Sequence, residues 1–165
     1  MIIKYVQNFL FLSMISVYVY VIYIVYNYYT KNDGSISSIL QNNDCNKIVF
    51  TNITIMNLLT IFYELLRFDV LSFFSIVFIV IGIYGVLLYD HTQSIHFIFC
   101  FIVFISILLF MYNHCYKKHH IILYLSLYIQ EILCAKIFLD TNIINCEIYL
   151  LANFAFFYTY LHLTN

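Results

Sequence analysis

Residues 70–89 read VLSFFSIVFIVIGIYGVLLY, a run without a single charge, closed by Asp69 on one side and Asp90 on the other. A helix rises about 1.5 Å per residue and the hydrocarbon core of a bilayer is roughly 30 Å thick, so about 20 apolar residues make a span. The run is continuous and lacks the alternation of a membrane-barrel strand, so it reads as a helix. Gly82 and Gly85 share it with Ser72 and Ser75. Small residues let helix backbones approach closely, which places this helix centrally in a bundle.

The pattern recurs on both sides. Apolar stretches run from about Asn8 to Tyr29, Ile48 to Leu66, Ser94 to Asn113, His120 to Leu139 and Ile143 to Leu163. The expected fold is therefore all-α: a single membrane domain over 1–165, a polytopic six-transmembrane-helix bundle. Composition agrees, with 64% hydrophobic and 9% charged residues. A soluble domain needs a polar exterior that this chain cannot supply. No proline forces a kink. Lys4 precedes the first stretch as in a signal peptide, but the apolar run is too long for a cleaved segment and no small-x-small site follows, so it reads as a retained helix. The second stretch carries Thr51, Asn52, Thr54, Asn57 and Thr60 and should face protein along one side. Connections are short except Thr30 to Lys47, a polar outer loop expected to be ordered only in part.

Lys and Arg set the orientation. With a cytosolic N-terminus, Lys4, Arg67, Lys117 and Lys118 lie inside, while Lys31, Lys47 and Lys136 lie outside with Asp33, Asp44, Asp90 and Asp140. This bias favours both termini in the cytosol. A net charge of -1 gives no reason to expect a nucleic-acid partner. The absence of Trp and Pro, beside 17 Tyr and 17 Phe, points to an AT-rich coding sequence. Tyr and Asn are accordingly poor indicators of function here.

Ionisable residues within spans mark candidate sites. Glu131 is the deepest; Lys136 lies five residues on, off the same helical face, and can snorkel outward. Glu64 and Arg67 are three apart and suited to a structural pair. Glu147 opens the last helix, where the helix dipole favours a carboxylate, so capping and a functional role both fit. Asp90, His91, Ser94 and His96 cluster at the outer start of the fourth helix. A Ser/His/Asp triad would need an elbow and an oxyanion hole that the sequence does not show. Capping by Thr92 or Ser94 and headgroup contact are the alternatives. His114, Cys115, His119 and His120 lack a standard zinc spacing and adjoin Lys117 and Lys118, which suits anionic lipid better than a metal. Five cysteines show no Cys-x-x-Cys pattern, and only Cys45 falls in the outer loop, so no disulfide framework is implied. The sequon Asn52-Ile53-Thr54 lies too near the membrane to accept a glycan. No cofactor and no catalytic residue is indicated.

Three segments together resemble a known family. Ser35-Ile36-Ser37-Ser38 followed by Lys47-Ile48-Val49-Phe50 is similar to a lumenal Ser-x-Ser stretch and its basic-aromatic helix entry. Ser94-Ile95-His96 leading to Phe101 to Ser106 is similar to a His-led helix. Glu147-Ile148-Tyr149, then Asn153-Phe154-Ala155-Phe156 and Thr159, is similar to a closing helix. In this order and spacing they resemble the family of post-GPI-attachment-to-proteins factor 2. That family belongs to the superfamily of damage-regulated autophagy modulators, CWH-type N-terminal domains and yeast proteins of lipid organisation. The matched stretches cover about a third of the chain. The chain is shorter than typical members, Asp33-Gly34 stands where the family has a proline, and the second and third helices match poorly.

The resemblance implies a protein of the ER or Golgi that acts in fatty-acid remodelling of GPI anchors. Its partners would be membrane lipids, the anchor glycolipid and an acyltransferase. Ser35, Ser37, Asp90, His96, Glu147 and Asn153 are the candidate headgroup contacts, with His96 and Glu147 expected to approach each other. The rival reading is a structural subunit of a larger membrane assembly such as a mitochondrial respiratory complex. A transporter ranks third, since no helix is broken by proline or a glycine run.

Overall fold

A computed structural model describes residues 2–30, 33–137, 139 and 143–164. Lys31 and Asp140, two charges assigned to the outer side, lie outside the described residues. The described residues form seven helices: α1 (Ile2–Tyr28), α2 (Ile36–Ile39), α3 (Asn43–Leu65), α4 (Val70–Leu88), α5 (Ser94–Lys118), α6 (Ile121–Ile137) and α7 (Ile144–Leu163). The expected six-span bundle needs correction. Among the described residues only α1, α3, α4 and α5 are long and apolar enough to cross a membrane. At 17 residues, α6 is short for a hydrocarbon core about 30 Å thick. The 20 residues of α7 include Asn145, Glu147, Asn153 and His162 besides three tyrosines, which dilute its apolar character. Among the described residues the outer loop contains α2, and Cys45 sits fully buried in the first turn of α3.

The long helices pack antiparallel in chain order, and α3 and α7 also meet across the bundle. Gln7 near the start of α1 donates to the Leu66 carbonyl at the end of α3 (3.1 Å). Tyr84 of α4 donates to Thr54 of α3 (3.1 Å), and Ser126 of α6 to Asn153 of α7 (2.9 Å). Tyr158 of α7 donates to Glu64 of α3 (2.5 Å). Caps fix the helix starts. Asn42 accepts from the Asp44 and Cys45 amides (3.0 and 3.1 Å), and Asp69 accepts from the Ser72 amide (3.4 Å). The fourth stretch continues one turn past its expected end at Asn113 and closes at His119 in a left-handed conformation (φ 48°).

The closest approach is between α4 and α5. A Cβ on Gly82 would stand 3.1 Å from the Phe99 carbonyl oxygen and from the Val103 amide; on Gly85 it would fall inside the Phe99 ring. The small residues are thus what lets these two backbones meet, as expected. The interior is largely apolar, with Phe110, Leu123, Phe157 and Leu161 fully buried, and the outer faces of the helices are apolar too. Ser72, Ser75, Gly82 and Gly85 of α4 are buried, whereas Leu71, Phe74, Phe78 and Ile81 on its other face are 47–62% exposed. On α5, Ile98, Phe101, Ile105 and Leu109 are likewise exposed. Large apolar groups on the outer faces and small residues at the α4–α5 contact suit a lipid solvent, and the chain is a membrane-associated helical protein. Four polar side chains of α3, Thr51, Asn52, Thr54 and Thr60, each donate to the carbonyl four residues back. Asn57, the remaining polar residue of that stretch, is buried, and its side-chain nitrogen meets no hydrogen-bond partner among the described residues.

Candidate functional site

The short helix α2 hangs between α5 and α7. Ser35 caps it by accepting from the Ser38 amide (3.1 Å), and the Ser38 hydroxyl accepts from the Ser35 amide (3.3 Å), a reciprocal capping box. Three hydrogen bonds tie this segment to the start of α7. Glu147 Oε2 accepts from the Ile36 amide (2.6 Å). The Gly34 carbonyl accepts from the amides of Ile143 and Ile144 (3.0 and 2.9 Å), supplying the cap that α7 lacks in its own side chains.

On the other side stands His96 of α5, 3% exposed. Its Nδ1 lies 3.0 Å from the Tyr89 carbonyl oxygen and its Nε2 lies 3.1 Å from Ser37 Oγ. A carbonyl can only accept, so Nδ1 carries the proton. Nε2 faces the Ser37 hydroxyl, which can either donate to it or accept from it. Ser37 also lines a cleft of about 370 Å³ whose other polar walls include Gln41, Asn43, Asn46, Asp90 and His91. The Gln41 amide reaches Asp90 (3.3 Å) and contacts the His91 ring. Asp90 accepts from the Thr92 amide and hydroxyl (2.9 and 2.7 Å), and these bonds hold its carboxyl below the usual carboxylate range. Burial drives Glu147 the other way, up to about 7, with the Ile36 amide bond a smaller opposing influence; it sits outside the four apolar helices.

Of the six candidate residues, Ser37 and Asp90 line the cleft and His96 stands directly behind Ser37. Ser35 and Glu147 shape α2 from its N-terminal side. His96 and Glu147 therefore bond adjacent residues of the same short helix. Asn153 is not brought to this place. Its amide group donates to the Ser126 carbonyl (2.9 Å) and to Gln130 (2.6 Å), joining α6 to α7. No triad forms around Asp90, since His96 bonds Ser37 and a backbone carbonyl and Asp90 engages Thr92. Nor do Thr92 or Ser94 cap α5: its N-cap is Gln93, which makes no side-chain cap bond. The arrangement offers a hydroxyl, amides and a carboxylate at the end of an apolar bundle, a set suited to a polar headgroup. The backbone contributions of Gly34, Ile36 and Tyr89 escaped the sequence reading. The Ser35-x-x-Ser38 spacing was the available signal for α2.

The opposite end holds the second cluster. Glu64 is fully buried and accepts from Arg67 (3.1 Å) as well as from Tyr158. His114 Nε2 lies 2.7 Å from the buried Ser72 hydroxyl. Lys117 reaches both oxygens of Asp69 (2.8 Å each). Burial pushes Asp69 up, but the Lys117 and Ser72 hydrogen bonds outweigh it and hold the carboxyl at about 2. His119 pairs with Tyr124 and His120 with Tyr160, so the histidines of this end point to separate partners. No group of three or more metal-ligating side chains occurs among the described residues. Glu131 accepts from Tyr112 of α5. All five cysteines are free thiols. No protein-family model, curated protein or solved structure matches this chain.

Proposed function

We propose that this protein acts in the fatty-acid remodelling of GPI anchors in ER or Golgi membranes, as an accessory factor beside an acyltransferase. The supporting observation is the meeting of three distant segments. The stretches around Ser35, His96 and Glu147, each similar to a part of the post-GPI-attachment family, come together through the Ser37–His96 and Ile36–Glu147 hydrogen bonds. A GPI anchor presents phosphate and sugar hydroxyls at the headgroup plane and hydrocarbon below it. The polar cleft beside Ser37 and Asp90 fits the first, and the apolar faces of α4 and α5 fit the second.

In this reading Ser37, Asp90 and His96 contact the headgroup, while Ser35 and Glu147 position α2. The α2 end is lumenal and both termini are cytosolic, in keeping with Lys4, Arg67, Lys117 and Lys118 gathered at the other end. The test is the acyl composition of GPI anchors in cells lacking the protein, together with the location of a tagged copy. Altered anchors and an ER or Golgi location are expected. Normal anchors, with stoichiometric recovery in a mitochondrial complex, would replace this reading with the structural-subunit one.

A further inference from the structure

We propose that the cleft at the Arg67 end binds a phosphate-bearing anion, either the headgroup of an anionic lipid or free phosphate. The inference is independent of the GPI reading, which concerns the opposite end. Four of the chain's seven Lys and Arg residues line this cleft of about 370 Å³: Lys4 from α1, Arg67 from the α3–α4 turn, and Lys117 and Lys118 from the end of α5. Among the described residues the only carboxylate lining it is Asp69.

The cations are held in place. Arg67 is fixed by Glu64 and lies 5.8 Å from the Tyr63 ring centroid. Lys117 is fixed by Asp69, and Lys118 donates to the Thr164 carbonyl (3.2 Å). Cations brought from three parts of the chain into one cleft repel one another, and an anion between them relieves that repulsion. The volume accommodates a phosphate with its glycerol.

Native mass spectrometry of the purified full chain in neutral detergent provides the test. The probes are dioctanoyl phosphatidate, inorganic phosphate and dioctanoyl phosphatidylcholine. Phosphatidate should bind, and Lys4→Gln and Lys118→Gln should each weaken it about fivefold, from about 1 kcal/mol per interfacial cation. The paired Lys→Arg variant should retain binding. Displacement of phosphatidate by equal inorganic phosphate would identify free phosphate as the ligand; resistance to a large excess would identify the lipid. Equal binding of phosphatidylcholine, or unchanged affinity in both Lys→Gln variants, would overturn the proposal. Should those variants fail to fold, the salt dependence of the unmodified protein decides. Affinity falling with ionic strength supports the site, and salt-independent affinity overturns it.

Discussion

Gly85→Ala tests the packing that holds the cleft-forming end together. An added Cβ would lie 2.0 Å from Phe99 Cγ and 2.2–2.3 Å from two further ring carbons, more than 1 Å inside ordinary contact. Separating the helices would relieve this only by giving up the close backbone packing at Gly82, so the ring is the group that moves. Phe99 must change rotamer, and in leaving it gives up its stacking on Tyr89 (centroids 5.5 Å apart, 9° between planes). Overpacking of this kind costs about 1–3 kcal/mol, and a lost aromatic pair about 0.5–1.5 kcal/mol. Replacing glycine within a helix by alanine returns about 1 kcal/mol. The net expectation is a loss of about 1–3 kcal/mol, read as a lower melting temperature in detergent. Truncating the ring in Gly85→Ala/Phe99→Ala should restore part of it relative to Phe99→Ala alone, where the alanine at 85 becomes neutral or favourable. A Gly85→Ala protein as stable as the parent, or one whose loss is the same with and without the Phe99 ring, would refute the close-packing account.

Arg67→Met should be among the most damaging single changes, about 3–5 kcal/mol, because it leaves the Glu64 carboxylate buried without its cation; denaturation in mixed micelles would measure this. A loss under 1 kcal/mol would mean that Tyr158 alone satisfies Glu64. Acid should act through Asp69. Its pKa is about 2 in the fold and near 3.9 in an unfolded chain, so its contribution is present above pH 4 and lost as pH falls through 2. Asp69→Asn should therefore flatten the decline in melting temperature between pH 4 and pH 2, and an unchanged acid limb would place the sensitivity elsewhere.

The membrane character and the helix positions were legible because spanning length and the absence of charge are properties of a local window. Val70–Leu88 ends within a residue of the expected limit. The status of the last two helices was not, since it turns on small margins. Gln130, Glu131 and Lys136 in α6, and Asn145 to Glu147 in α7, read as exceptions within apolar runs. In three dimensions Gln130, Ser126 and Asn153 form the polar contact between these helices. The Glu64–Arg67 pair was legible from its spacing of three residues. The meeting of Ser37, His96 and Glu147 was partly so: the residues stood out singly, but their convergence depends on backbone groups of Gly34, Ile36 and Tyr89 that carry no side-chain signature. Similarly, Lys4, Arg67, Lys117 and Lys118 signalled a common side of the membrane, whereas the cleft they line depends on helix packing.

The central claim is that the α2 end handles the anchor's headgroup. It is tested most directly by replacing His96 with alanine in cells whose GPI anchors depend on this protein and measuring the acyl composition of those anchors at matched protein abundance, with Glu147→Ala as a parallel variant. The account predicts altered anchor acyl chains in both, with protein levels near normal, because each substitution removes a bond that sets α2 beside the cleft while leaving the helical bundle intact. Unaltered anchors in both variants would contradict it and reduce these residues to ordinary fastenings of a short helix.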